Sequence, residues 1–146
     1  MARILVIDDD PAMRRLIART LTAAGHSVCE AADGREGIEL FDQVLPALVV
    51  TDIVMPGAEG IETILNLRKI AEDVRILAIS GWGSSAPSYL DMATKLGADA
   101  GLAKPFKAGE LLAAVESLLV ECDSAWNIGR RSRAKLGRRL TLVEPQ

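Results

Sequence analysis

Five polar residues stand where runs of apolar or small residues stop. Asp8 and Asp9 follow Arg3–Ile7, Asp52 closes Leu48–Thr51, Ser80 follows Arg75–Ile79, and Lys104 follows Gly97–Ala103. A carboxylate at the end of a buried run lies against a core that cannot hydrate it, so it calls for a partner or a task. Three carboxylates brought together repel, by roughly 4 kcal/mol for a pair about 4 Å apart at a surface-like dielectric. Either one of them stays protonated or a cation intervenes. Oxygen-only ligands with room for water favour a hard ion, and Mg2+ is the natural candidate. Held by carboxylates, it keeps open positions for water and phosphoryl oxygens. Lys104 adds a second positive charge and Ser80 a hydroxyl donor. A carboxylate, a divalent ion, a lysine and a hydroxyl together suit phosphoryl transfer onto an aspartate.

The elements that must position these residues are legible from periodicity. Arg3–Ile7, Ser27–Ala31, Ala47–Thr51 and Arg75–Ile79 read as strands, and Gly97–Ala103 leads through a weak, small-residue fifth strand. Between them, apolar residues recur at helical spacing. Met13, Leu16, Ile17, Leu21 and Ala24 mark one helix, and Ile38, Phe41 and Val44 a second. Ile61, Ile64, Leu65 and Ile70 mark a third, Tyr89, Ala93 and Leu96 a fourth, and Leu111, Leu112, Val115, Leu118 and Leu119 a fifth. Asp10 and Pro11 suit the cap and first position of the first helix, and Gly25 its end. Val49, Val50 and Thr51 favour a buried strand that Pro56 forbids from continuing. Near-continuous apolar strands alternating with helices argue an α/β fold, a five-stranded parallel sheet doubly wound by right-handed crossovers. Sites in such sheets lie beyond the carboxyl ends of the strands, where all five polar residues fall.

The 146 residues suffice for one domain with a real core. Although 49% of them are apolar, no run approaches the roughly 18 needed to cross a bilayer. The chain opens directly on a strand, without the features of a signal peptide. Cys29 and Cys122 fit neither a disulfide framework nor a metal spacing, so they read as structural thiols in a reducing cytoplasm. Charge is uneven: residues up to Glu121 hold 11 Lys+Arg against 18 Asp+Glu, whereas the last 25 hold 6 against 2. Residues 1–121 therefore read as the domain and 122–146 as a basic tail, a solvated extension or a short docking element.

With Asp8-Asp9, Asp52-Ile53-Val54-Met55-Pro56 and Gly60, Ser80, and Lys104-Pro105-Phe106 in this order, the chain resembles the receiver domain of two-component response regulators from residue 3 to about 121. The resemblance implies a flavodoxin-like (βα)5 fold of strand order 2-1-3-4-5. It implies Asp52 as the phosphoacceptor from a sensor histidine kinase or histidine phosphotransfer protein. Mg2+ would be bound by Asp9 directly, by Asp8 mainly through water, by Asp52, and by the backbone carbonyl of Val54. Lys104 would pair with the phosphoryl group, Ser80 would swing toward it as the switch, and the Lys104–Pro105 bond would be cis. The output would be a protein partner, and the only turnover that of the protein's own acyl phosphate, so the chain is no enzyme in the usual sense. One departure stands out. Gly101 occupies the place, three before the lysine, where receivers often carry a switch aromatic, so that rotation cannot occur here. Val54 and Trp82 flank the site, where family members tune phosphoryl lifetime.

Blander assignments cover the rest. Asp10 reads as a helix cap, Asp33 as a turn residue, Asp99 as a solvated loop charge and His26 as structural. Gly81-Trp82-Gly83 lacks the Lys-Ser/Thr of a phosphate loop. The tail, with Arg130, Arg131, Arg133, Lys135, Arg138 and Arg139, offers an alternative output through nucleic acid, or a docking element on a second subunit in a homodimer. A haloacid-dehalogenase-type phosphatase with its nucleophile among Asp8–Asp10 is disfavoured by Pro11 and by the lack of a cap domain.

Overall fold

The computed structural model describes residues 2–53, 59–81 and 86–125, with 59, 86–90 and 121–125 described by backbone alone. Five strands alternate with five helices: β1 (Arg3–Ile7), α1 (Pro11–Ala23), β2 (Ser27–Ala31), α2 (Gly34–Val44), β3 (Leu48–Asp52), α3 (Glu59–Ile70), β4 (Arg75–Ser80), α4 (Ala86–Leu96), β5 (Ala100–Ala103) and α5 (Ala108–Ala125). The strands form one sheet of order β2-β1-β3-β4-β5, parallel throughout. This is the flavodoxin-like doubly wound order, and it places β1 beside β3 at the point where the winding reverses.

Alternation along the central strands splits the core in two. Leu5, Ile7, Val49, Ile76 and Ala78 pack with Phe41 of α2, Ile64 and Leu67 of α3 and Ala93 of α4. On the opposite face, Ile4, Val6, Leu48, Val50, Leu77 and Ile79 pack with Ile17 and Leu21 of α1 and with Leu111, Val115 and Leu118 of α5. Each fully buried Leu or Ile contributes about 1.5–3 kcal/mol relative to its exposed state. Burial on both faces is why these strands carry no alternating polar residues.

Helix ends follow local chemistry. Asp10 caps α1 by accepting the Ala12 N–H, with Pro11 in the first helical turn. Gly25, at φ +100°, turns the chain out of α1 toward β2. Asp33 is not a turn residue but the cap of α2, its carboxylate accepting the Glu36 N–H at 2.8 Å. Leu45 adopts a left-handed conformation and ends α2 ahead of Pro46.

Two helical phases and one helix end differ from the sequence expectation. Leu16 is 53% exposed, because the i, i+4 pair Ile17 and Leu21 sets the buried face of α1 and Leu16 lies off it. In α3, Ile64 and Leu67 turn inward, leaving Leu65 and Ile70 largely exposed. Leu67 belongs to the core in place of Ile70. α5 continues past Glu121 to Ala125.

Candidate functional site

The carboxyl ends of β1, β3, β4 and β5 bring together Asp8, Asp9, Asp52, Ser80 and Lys104. Asp52 is the last residue of β3 and is 5% exposed. The Thr51 hydroxyl donates to its carbonyl oxygen at 3.2 Å, and the next residue stays tied to the sheet, Ile53 N–H donating to Ile79 O at 2.9 Å. Asp8 is 1% exposed, whereas Asp9 faces solvent. One carboxylate oxygen from each of Asp8, Asp9 and Asp52 lies within 4.8 Å of the others. Lys104 reaches in from the end of β5, its Nζ 3.2 Å from Asp52 Oδ2 and 3.6 Å from Asp8 Oδ2, with a side chain only 7% exposed. Its backbone N–H donates to Ser80 O, and the Lys104–Pro105 peptide bond is cis.

Among the described residues, one lysine stands against the three carboxylates of this cluster. Burial, with further contributions from Asp52 and Asp9, pushes the Asp8 carboxyl up to about 6, against the opposing pull of the Asp10 N–H and of Lys104. Two buried polar atoms have no hydrogen-bond partner here, Asp8 Oδ2 and Ser80 Oγ. Buried orphans of this kind carry a cost that a native fold keeps only for a reason. An all-oxygen donor set with an unsatisfied carboxylate oxygen fits a hard divalent cation. The acidic cluster is thus competent to hold a metal ion.

Gly60 closes the site from the side of α3. A Cβ there would overlap the backbone of Asp52 and Ile53, lying 2.5 Å from the Asp52 carbonyl oxygen. Backbone cannot yield as a flexible side chain would, so only glycine lets α3 start this close to the end of β3. Of the residues expected at the site, Val54 and Trp82 lie outside the described residues, as do residues 126–146 of the tail.

Several residues with structural weight were not visible in sequence. Arg14 donates from Nη1 to the carbonyl of Asp8 at 2.8 Å and pairs through Nε with Glu30 at 3.2 Å. Its only sequence signal is a cation near a helix N-terminus, where the macrodipole disfavours it. Asp99 is not a solvated loop charge. It accepts from Arg68 Nη2 at 2.7 Å, Arg75 Nη1 at 3.1 Å and the Ile76 N–H at 2.8 Å. No local pattern predicts this, since its partners lie 23 to 31 positions away. His26 is buried, with Nδ1 accepting the Ala2 N–H at 3.1 Å and Nε2 placed 2.9 Å from Glu116, which assigns the proton to Nε2.

With this geometry in place, similarity decides the family. The model of the response regulator receiver domain matches residues 4–116. The chain belongs to the response regulator receiver family. It is 40% identical over 117 residues to the response regulator MprA of Mycolicibacterium vanbaalenii, a match covering 80% of this chain and 50% of MprA. The DNA-binding dual master transcriptional regulator RpaA of a Synechocystis strain is 34% identical over 145 residues, covering 98% of this chain and 59% of RpaA. The receiver thus spans about half the length of these curated relatives. Among solved structures, a CheY-like receiver domain protein from Methanospirillum hungatei JF-1 superposes with a TM-score of 0.77 at 27% identity, covering 85% of this chain and 98% of its own. NtrX from Brucella abortus gives a TM-score of 0.82 at 29% identity, over 87% of this chain and 29% of NtrX. Among the described residues, no helix of the receiver is long and apolar enough to cross a membrane.

Proposed function

We propose that this receiver accepts a phosphoryl group on Asp52. The observation that carries the proposal is one buried carboxylate at the β3 terminus, faced at 3.2 Å by Lys104 and sharing a 4.8 Å cluster with Asp8 and Asp9. A carboxylate oxygen of Asp52 attacks the phosphorus of a phospho-donor in line. The donor's bond to phosphorus breaks and its electron pair leaves with the donor. Lys104 neutralises charge building on the phosphoryl oxygens. Ser80, whose hydroxyl is buried without a partner, supplies a donor to the acyl phosphate. Water later cleaves the acyl phosphate, restoring the carboxylate and releasing inorganic phosphate. Mg2+, held by Asp8, Asp9 and Asp52, would supply further electrostatic stabilisation of phosphoryl oxygens.

A sensor histidine kinase or a phosphotransfer protein is the donor in this scheme, and a cytoplasmic location goes with it. The protein itself is consumed and reset, so no other substrate turns over. The modified Asp52 biases a two-state equilibrium read by a downstream protein. Output through nucleic acid is the alternative, favoured by the basic residues 130–139 and by the similarity that extends over 98% of this chain to a regulator named as DNA-binding.

Intact mass after incubation with acetyl phosphate and Mg2+ tests the proposal. One added phosphoryl group on the wild type, lost in Asp52→Asn and lost with chelator, is the expected result. Equal labelling of both proteins would move the acceptor to Asp8 or Asp9. Loss of salt-sensitive DNA binding on removal of residues 126–146 would favour the alternative output.

A further inference from the structure

Asp8 is held through its N–H, its carboxylate and its carbonyl, and one of these constraints comes from outside the cluster. Its N–H donates to Ala31 O at 3.1 Å, its Oδ1 accepts the Asp10 N–H at 2.9 Å, and its carbonyl accepts from Arg14 Nη1 at 2.8 Å. These contacts leave Oδ2 without a hydrogen bond and turned toward Lys104 at 3.6 Å. The carbonyl that Arg14 grips belongs to the peptide joining Asp8 to Asp9. Rotation of that peptide would swing both carboxylates, one buried and one exposed. Arg14 is itself braced, since Glu30, the penultimate residue of the edge strand β2, accepts from its Nε at 3.2 Å.

We infer that Arg14, held by Glu30, is a positioning residue that orients the Asp8-Asp9 pair toward a divalent cation, an inference that rests on the metal-binding role proposed for the cluster. Two effects of Arg14 oppose each other. Its charge repels a cation, while its hydrogen bond pre-orders two ligands. The paired Glu30 carboxylate offsets much of the charge, which leaves orientation as the dominant effect. The direction of the mutant effect therefore separates the two. A purely electrostatic Arg14 predicts tighter metal binding on its removal, and a positioning Arg14 predicts weaker binding.

Titration calorimetry of the full chain with MgCl2 tests this, paired with thermal unfolding in chelator to read stability of the metal-free fold. Arg14→Met is expected to weaken Mg2+ affinity roughly tenfold, the effect typical of lost support to a metal ligand. Arg14→Lys, which keeps the charge and one donor, is expected to recover part of that affinity while leaving the metal-free midpoint near that of the wild type. Unchanged or tighter Mg2+ binding by Arg14→Met overturns the inference. Should that variant not fold, Arg14→Lys decides: affinity equal to wild type overturns it, and weakened affinity at an unshifted midpoint supports it. A wild type that binds no Mg2+ overturns the metal site itself, a result distinguishable from failure of Arg14 alone.

Discussion

The two ends of the sheet handle charge in opposite ways. At the carboxyl end, among the described residues, three carboxylates cluster beside one lysine, which pairs with Asp8 and Asp52, and Asp8 Oδ2 and Ser80 Oγ are buried without hydrogen bonds. At the amino end of β4 and β5, a single carboxylate, Asp99, is shared by two guanidiniums and also accepts a backbone N–H. Arg68 goes further, donating to the carbonyls of Val74, Glu72 and Gly97, so it ties α3 to the start of β4 and to the end of α4. Only Arg75 Nε is left over among the described buried atoms there. One end is satisfied by its own residues in all but that one atom. The other leaves Asp8 Oδ2 and Ser80 Oγ buried without hydrogen bonds, in keeping with the ion and phosphoryl site proposed there.

The contrast is open to attack, beginning with its strongest element. Asp99→Ala removes the shared partner of the buried Arg75 and the partly buried Arg68 and should cost about 3 kcal/mol, the low end for breaking a buried ion pair because Arg68 keeps its bonds to backbone carbonyls. Urea unfolding in chelator measures it, and a loss below about 1 kcal/mol would erase the distinction between the ends. Labelling of Asp52 per folded molecule should survive this change, because the Asp99 cluster lies at the other end of the sheet.

Asp8→Asn should act in the reverse direction and stabilise the metal-free fold, by up to about 3 kcal/mol at pH 8. The sign follows from linkage. Asp8 titrates near 6 in the folded chain against 3.8 ordinarily. The folded state therefore holds the extra proton between those values, and its stability falls as pH rises through that window. Wild-type stability in chelator should drop between pH 4 and about 6.5 from this group, and the drop should vanish in Asp8→Asn. A variant that is less stable than wild type at pH 8 would show that the acidic end is not frustrated. In the wild type, Mg2+ affinity should weaken as pH falls through about 6, as protons compete for Asp8.

Gly60→Ala should cost about 1–3 kcal/mol through overpacking against backbone. It should also slow labelling of Asp52 by acetyl phosphate, since the displaced backbone carries the acceptor. Normal labelling at lowered stability would confine Gly60 to packing. The smallest effect is expected from Arg75→Lys, which keeps the charge beside Asp99 and removes the unsatisfied Nε, and should stay within about 1 kcal/mol of wild type.

Much of this architecture could be read from the chain because its signals are local. The strands reveal themselves as apolar runs, Asp10 and Pro11 announce α1, and a residue that ends a parallel strand must lie at the sheet's carboxyl edge. Asp8, Asp9, Asp52, Ser80 and Lys104 were placed by that logic. Helical phase was less secure. Leu16 and Leu65 are apolar residues next to the buried stripe, and a single sequence does not say which side of the stripe the sheet covers.

Sequence by itself determined where each strand ends to within one residue, the alternation of strands and helices, and the acidic, lysine-bearing chemistry gathered at one edge. Those properties depend on residue type and on spacing within about ten positions. Tertiary structure decided the rest: that Asp99 closes the amino end with Arg68 and Arg75, that Arg14 and Glu30 support Asp8, that His26 joins Ala2 to Glu116, and that Gly60 must lack a side chain. Each of these is a contact between elements whose approach is set by packing on a shared sheet. Its distance is fixed only when the whole core has closed.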